Sequence, residues 1–269
     1  MKKIFILMIV LMSAVYAGAT TFPVIEPFHD ETIDLTWEQF WTNSATLESV
    51  QASGESCGDS SLGDEYIGKT TCTTTGTGSS GHVTGEDTDS NYTIQAYVYT
   101  PVVNTDAAPQ DYWYQQLVFY RIGATGGVPT SYGRLHTHFN TFGGDIPAPR
   151  IRIMVGTYSL IWSAPDFTVP VSSSWHKMKI ELNGTTANCY FDDLLLPGTV
   201  DWTSASPGVT AGRFGFGQYM NGAGTLSMYV DMFKAYQGAE PPDPPVPTPT
   251  DTPVPTPTLL AAQNWMYFE

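Results

Sequence analysis

From Thr93 to Tyr99 the chain reads Thr-Ile-Gln-Ala-Tyr-Val-Tyr, an alternation of period two, and that period constrains the fold more than any other feature. A β-strand turns successive side chains to opposite faces, so Ile94, Ala96 and Val98 are expected in a core, with Gln95, Tyr97 and Tyr99 turned outward. Runs of the same character lie at 114–122, 132–140, 150–155, 159–162, 175–182, 187–191 and 226–236, separated by Gly- and Pro-containing turns. Asn183-Gly184 sits between two of them, a favoured hairpin dipeptide because both residues tolerate positive φ. No run holds a helical period for more than a turn or two, and no internal repeat is present. Charged residues make up 14% of the chain and aromatic ones 13%, with 25 Gly and 20 Pro, a composition that opposes a helical bundle. The expectation is an all-β antiparallel β-sandwich, or jelly roll, followed by an extended Pro/Thr-rich tail.

Residues 1–19 read as a secretion signal. Lys2 and Lys3 precede the apolar run Ile4 to Met12, and Ala17-Gly18-Ala19 supplies an Ala-x-Ala cleavage site. The run falls short of the roughly 20 residues needed to span a bilayer, and no later stretch is long and apolar enough to anchor the chain. The whole chain carries 11 Lys+Arg against 26 Asp+Glu, a formal charge of −15; loss of Lys2 and Lys3 leaves nine against 26, or −17. Nucleic acid and anionic membranes are therefore poor partners. The expected place is outside the cell or on its surface, and the signal is bacterial in style.

Residues 20–238 read as one domain, a length that one sandwich accommodates. At Ala239 the composition changes: from there to Thr258, nine of twenty residues are Pro and five are Thr. Proline at that density favours polyproline II, so 239–258 is expected to be a semi-rigid spacer making few contacts with the domain. The tail 259–269 is too short to fold alone. Three cysteines suit an oxidising compartment but cannot all pair internally. Cys57 and Cys72 flank a Gly/Ser-rich loop and are a candidate disulfide, two separate thiols being the alternative. Cys189, inside a strand-like run, is expected to be a buried small hydrophobe.

In the second half, Trp175-His-Lys-Met-Lys-Ile-Glu-Leu182 precedes Asn183-Gly184, and Asn188-Cys-Tyr-Phe-Asp-Asp193 follows. Gly212-Arg-Phe-Gly-Phe-Gly217 then leads to Met228-Tyr-Val-Asp-Met-Phe233. This succession resembles the C-terminal half of the concanavalin A-like lectin/glucanase jelly rolls, including laminin-G-like modules of secreted bacterial proteins. Pro27-Phe28 and Trp37 are similar to the opening strand of such domains. The superfamily holds sugar-binding modules, glycoside hydrolases, polysaccharide lyases and adhesion modules, and a fold alone does not choose among them. The laminarinase-like hydrolases carry Glu-x-Asp-x-x-Glu on one strand, and no such hexapeptide occurs here. The resemblance also implies a structural calcium between the terminal strands, at Glu26 and Asp231. A second oxygen-rich stretch, Glu86, Asp87, Asp89 and Asn91, has calcium-like composition without EF-hand spacing, and solvated acidic side chains are the alternative for both. Asn91-Tyr92-Thr93 and Asn183-Gly184-Thr185 match the glycosylation pattern by chance.

The candidate site is a cluster of arginines in an acidic chain. Four of the nine basic residues after Ala19, Arg121, Arg134, Arg150 and Arg152, fall between 121 and 152. Alternation puts Arg134, His136 and His138 on one face of their strand and Arg150 and Arg152 on one face of the next. Tyr97, Tyr99, Gln116 and Tyr120 join them if the strands share a sheet. Guanidinium forks bind carboxylates and sulfates bidentately, and aromatic rings stack on sugars, so the set suits an acidic glycan. The alternative is ordinary solvent-facing positions whose arginines pair with carboxylates. The same stretch supplies lyase-type groups, a base at His136 or His138 and carboxylate-neutralising Gln116 and Arg134, with Tyr219 beyond. His136-x-His138 also has the spacing of two metal ligands, with no third in view. The reading favoured is a secreted, non-catalytic carbohydrate-binding or adhesion module. A polysaccharide-degrading enzyme, lyase before hydrolase, is the alternative, and a structural cell-surface protein without a sugar site comes third.

Overall fold

The computed structural model describes residues 19–40, 45–52, 66–99, 112–122, 131–141, 150–155, 157–163, 175–206 and 208–244. Among them every regular element is a strand. In chain order these are β1 Val24–Glu26, β2 Glu38–Phe40, β3 Ala45–Gln51, β4 Tyr66–Thr84, β5 Thr93–Tyr99, β6 Tyr112–Ile122 and β7 Ser131–Thr141. There follow β8 Arg150–Val155, β9 Thr157–Ser163, β10 His176–Asn183, β11 Thr186–Phe191, β12 Leu194–Leu195, β13 Val200–Asp201 and β14 Arg213–Tyr236. All pairings are antiparallel.

The fold is a sandwich of two layers, and β14 runs through both. Its first half pairs with β6 and continues through β7, β8 and β9; its second half pairs with β5, then β10, β11 and β12. β4 lies along the opposite edge of β14, and β1 takes over that edge at Phe233–Ala235. One core is shared by the layers: Ile94, Ala96 and Val98 of β5 and Met178 and Ile180 of β10 belong to the same cluster as Leu117, Phe119, Leu135, Phe214 and Phe216. The alternation of β5 is thus as expected on its core side. Its other side is not solvent-facing throughout, because Gln95 and Tyr99 are both buried. Tyr99 packs with Ile67 and Tyr229 in a separate apolar cluster flanked by Trp175.

Several local features follow from particular residues. The β10–β11 hairpin closes at Asn183↔Thr186, so Gly184 takes the first position of a two-residue turn at φ +57°, where its lack of a Cβ matters. Gly133 faces Phe119 across β6–β7, and a Cβ there would lie inside the Phe119 ring. Cys189 is buried as expected, and burial pushes its thiol pKa up. The Thr/Gly/Ser-rich stretch around Cys72, where the alternation predicts no strand, is part of β4. Its threonines find cross-strand partners, Thr71 with Ser227 at 3.2 Å and Thr73 with Thr225 at 3.0 Å. Threonine favours strands once a partner strand is available, and β14 supplies one from more than a hundred residues away. Cys57 lies outside the described residues, so the Cys57–Cys72 pairing does too.

The start of the Pro/Thr stretch, expected to make few contacts, is tied to the domain by a small set of ionic ones. Glu240 lies 3.6 Å from the Lys177 ammonium and 3.5 Å from that of Lys234, and it accepts a 2.6 Å hydrogen bond from Gln95 Nε2. Lys234 also donates to Pro241 O at 2.9 Å and pairs with Asp243. Lys234 is 1% exposed, so its charge needs these acceptors, and the chain that leaves β14 folds back to provide them. Residues 245–258 lie outside the described part. No helix among the described residues is long and apolar enough to cross a membrane.

Candidate functional site

The arginine cluster is set by the register of five ladders. Arg134 of β7 stands opposite Val118 of β6 and Arg152 of β8; Val118 in turn stands opposite Gly215, and Gly215 opposite Val83, which faces Glu38. Two residues along, the same ladders align Gly81, Gly217, Gln116, His136 and Arg150. Positions two apart share a face, so these are successive rungs on one side of the sheet, with Arg134, His136, Arg150 and Arg152 at four adjacent corners. His138 is two residues further along β7, beyond its last pairing with β8. This face lies away from the core, since Leu117 and Leu135 of the intervening rung are core residues.

The other named residues are not gathered there. Tyr97 and Tyr99 alternate with the core residues of β5, so they lie on the outer side of the opposite layer. Tyr97 stands opposite Lys177 and Asp231, its ring 5.9 Å from the Lys177 ammonium. Tyr120 is fully buried and belongs to the core. The cause is a β-bulge. Between the pairs Arg121↔Arg213 and Val118↔Gly215, β6 has one residue more than β14, and Tyr120 takes φ +51°, which turns its ring inward. Burial pushes the Tyr120 hydroxyl pKa up to about 12. Arg134 too is nearly enclosed, at 3% exposure. Beside it, Val83, Val118 and Tyr132 make a small apolar cluster on the same face.

At one end of this face is a charge cluster not anticipated from the sequence. Arg213 pairs with Glu38, and its Nε lies 3.1 Å from Asp87 Oδ1. Arg121, Arg213's partner in the ladder, is fully buried; burial and then the Arg213 charge lower its pKa, against the opposing pull of Asp87 and Glu38. A depression of about 450 Å³ opens beside them, lined by Thr20, Thr36, Glu38, Gly85, Glu86 and Arg213. Arg213 was visible only as part of the Gly-Arg-Phe-Gly strand pattern, and nothing in the sequence pointed to Glu38 as its partner.

The acidic residues of the 86–91 stretch are held by the protein's own donors. Asp87 is paired with Arg213, Asp89 accepts from Thr20 and Glu86, and Asn91 Oδ1 accepts the Gly184 N–H at 2.8 Å. At the terminal strands, Glu26 is fully buried in β1 opposite Phe233. Its Oε2 accepts the Leu35 N–H at 2.8 Å and the Trp37 indole N–H at 3.4 Å, while its Oε1 is buried without a hydrogen bond. Asp231, two residues from Phe233 along β14, is also buried. The unsatisfied Glu26 oxygen is what this chain offers a cation there, and it fits the hard-oxygen chemistry of calcium. No group of three or more His, Cys, Asp or Glu side chains suited to a metal occurs among the described residues.

The described molecule is an all-β antiparallel sandwich whose backbone register sets Arg134 opposite Arg152 and His136 opposite Arg150. No family model matches the sequence, and no curated protein matches it. Among solved structures it is similar to a protein with a galectin-like fold from Bacillus subtilis, at TM-score 0.48 and 13% identity over 82% of this chain and 97% of that one. A family 16 endo-glucanase from Bacteroides ovatus aligns at TM-score 0.48 and 11% identity, over 79% and 99%. The carbohydrate binding module CBM66 from Bacillus subtilis aligns at 0.42 and 13%, over 71% and 96%. All three alignments lie below a TM-score of 0.5, and none assigns a residue of this chain a role.

Proposed function

We propose that the chain is a secreted or cell-surface carbohydrate-binding or adhesion module whose ligand is an acidic polysaccharide, carried on the Pro/Thr spacer. The observation that supports this is the rung pair that sets Arg134 opposite Arg152 and His136 opposite Arg150. Like charges directly opposite in a sheet repel, and a carboxylate- or sulfate-bearing chain lying across them would relieve that repulsion. Arg150, Arg152 and His136 are the contacting set in this reading; Arg134, being buried, acts as a positioning residue that adds to the local potential. Gln116, level with His136 in the ladder, is the proposed partner of a sugar hydroxyl. Tyr97, Tyr99 and Tyr120 drop out of the set because of where the fold puts them. A structural calcium at Glu26, with Asp231 near, belongs to the same proposal.

The test is a binding panel of uronate, sulfated and neutral polysaccharides, with absorbance of unsaturated uronate products followed in the same samples. Binding confined to the acidic polymers, with no product, is the expected outcome. Steady release of unsaturated ends would make the protein a lyase, and salt-insensitive binding of neutral glucans would move the site elsewhere.

A further inference from the structure

Asp89 is a carboxylate at 3% exposure with no Lys, Arg or His partner among the described residues. A buried carboxylate without a countercharge is costly. Its donors come from one place: the Thr20 backbone N–H reaches Oδ1 at 2.9 Å, and the Thr20 hydroxyl donates to Oδ2. The Glu86 N–H is shared between Thr20 Oγ1 at 3.0 Å and Asp89 Oδ2 at 2.9 Å. Thr20 is held at this spot by Phe22, whose ring packs on Tyr92 and Phe214 at centroid distances of 6.0 and 5.8 Å. The main chain at Asp89 is tied down as well, its carbonyl accepting the Gly212 N–H at 2.8 Å.

Thr20 is also the residue that follows Ala17-Gly18-Ala19. We infer that the chain is processed between Ala19 and Thr20 and that the new α-ammonium of Thr20 is the missing countercharge of Asp89. A signal-type endopeptidase would add water across the Ala19–Thr20 peptide bond: the Ala19 carbonyl leaves as a carboxylate, and the Thr20 nitrogen keeps the electrons of the broken bond and is protonated to an ammonium. The neutral N–H that touches Asp89 Oδ1 becomes a cation at the same place, and a polar contact becomes a charge-assisted one. Two independent features coincide on one bond: a cleavage motif in the sequence and a buried acid aimed at the nitrogen that cleavage frees. Processing would then lock the amino end, the Gly85–Asp89 turn and the entry to β14 into one unit.

The full chain, secreted from a bacterial host, is expected to begin Thr20-Thr21-Phe22 by amino-terminal sequencing. Periodate specifically oxidises an amino-terminal threonine, cleaving its Cα–Cβ bond with loss of acetaldehyde and then ammonia, and so removes both groups that reach Asp89. Treated protein should shift its unfolding equilibrium at least about tenfold toward the unfolded state, the scale of a charge-assisted hydrogen bond. The same treatment of Asp89→Asn should add little to the cost of the substitution itself. A different amino terminus, or equal stability before and after oxidation of the unsubstituted protein, would overturn the inference. Those two measurements decide it even if Asp89→Asn does not fold.

Discussion

Arg134 and Arg152 stand directly opposite one another across β7 and β8, two cations paired in a sheet that elsewhere pairs Val118 with Gly215 and Leu117 with Phe216. Opposed like charges cost the fold something, roughly 0.2–1 kcal/mol for a cross-strand pair. Arg152→Ala is accordingly expected to hold or slightly raise the melting temperature while weakening uronate binding by about tenfold, one charge-assisted contact's worth. Binding by the unsubstituted protein should fall as salt rises from 0.1 to 1 M, since the screening length drops from about 10 to about 3 Å. Thermal unfolding and titration calorimetry on the same samples check both halves.

The return of Glu240, Pro241 and Asp243 onto Lys234 and Lys177 predicts that the tail is not dispensable at its root. Truncation after Gly238 should cost about 1 kcal/mol, because the acidic partners are themselves partly exposed. In a domain of this size that corresponds to a melting temperature lower by about 2–4 °C. Truncation after Pro244 should leave it unchanged. In the shorter form Lys234→Met should recover part of the loss, since it removes the stranded charge.

Tyr92 donates its hydroxyl to Gly212 O and accepts the Tyr120 N–H, each at 3.1 Å, and so stitches β6 to the entry of β14 just before β5 begins. Tyr92→Phe leaves two buried backbone groups short of a partner and should cost about 1–3 kcal/mol by denaturant unfolding.

Alkaline pH should act through the same pair. Burial raises the pKa of both hydroxyls, that of Tyr120 to about 12, against 10 when unfolded. Above pH 10 the unfolded chain loses these protons and the folded one keeps them, so stability present below 10 is lost as pH climbs toward 12. Phenolate absorbance from these two residues should therefore appear together with unfolding, and Tyr120→Phe should flatten the pH dependence.

Calcium binding at Glu26 would stabilise the unsubstituted protein in proportion to the logarithm of free calcium, by about 2.7 kcal/mol at a hundredfold excess over Kd, and raise its melting temperature accordingly. Glu26→Gln keeps the acceptor for Leu35 and Trp37 but lacks the charge, and it should abolish the calcium response. A melting temperature indifferent to both calcium and chelator would remove the ion from the proposal.

Period-two alternation made β5 through β11 legible within a few residues, because a buried face leaves a strong imprint where strands are short and half apolar. It failed where one residue is inserted. The bulge at Phe119–Tyr120 shifts the alternation by one, and no sequence signal distinguishes Tyr120, which turns in, from a tyrosine that stays out. It also failed for β4, whose Thr- and Gly-rich sequence carries no apolar alternation and whose pairing with β2, β3 and β14 is set by those strands. The site was legible in part for the same reason. Cross-strand neighbours such as His136 and Arg150 follow from local hairpin register, whereas the contact of Arg213 with Glu38, 175 positions apart, depends on the whole topology.

β14 touches β1, β4, β5 and β6, so four other strands wait on it. The ladder it forms with β4 joins residues as distant as Thr71 and Ser227, 156 positions apart. Loops of that length close slowly, and none of these pairings can begin while residues 213–236 are still being synthesised. Until then the earlier strands have a missing neighbour at the middle of the structure. The nascent chain is thus expected to complete its sandwich only late in translation, once β14 has been made. A chain arrested before Arg213 should be as susceptible to protease as a denatured one, however many of its strands are already made.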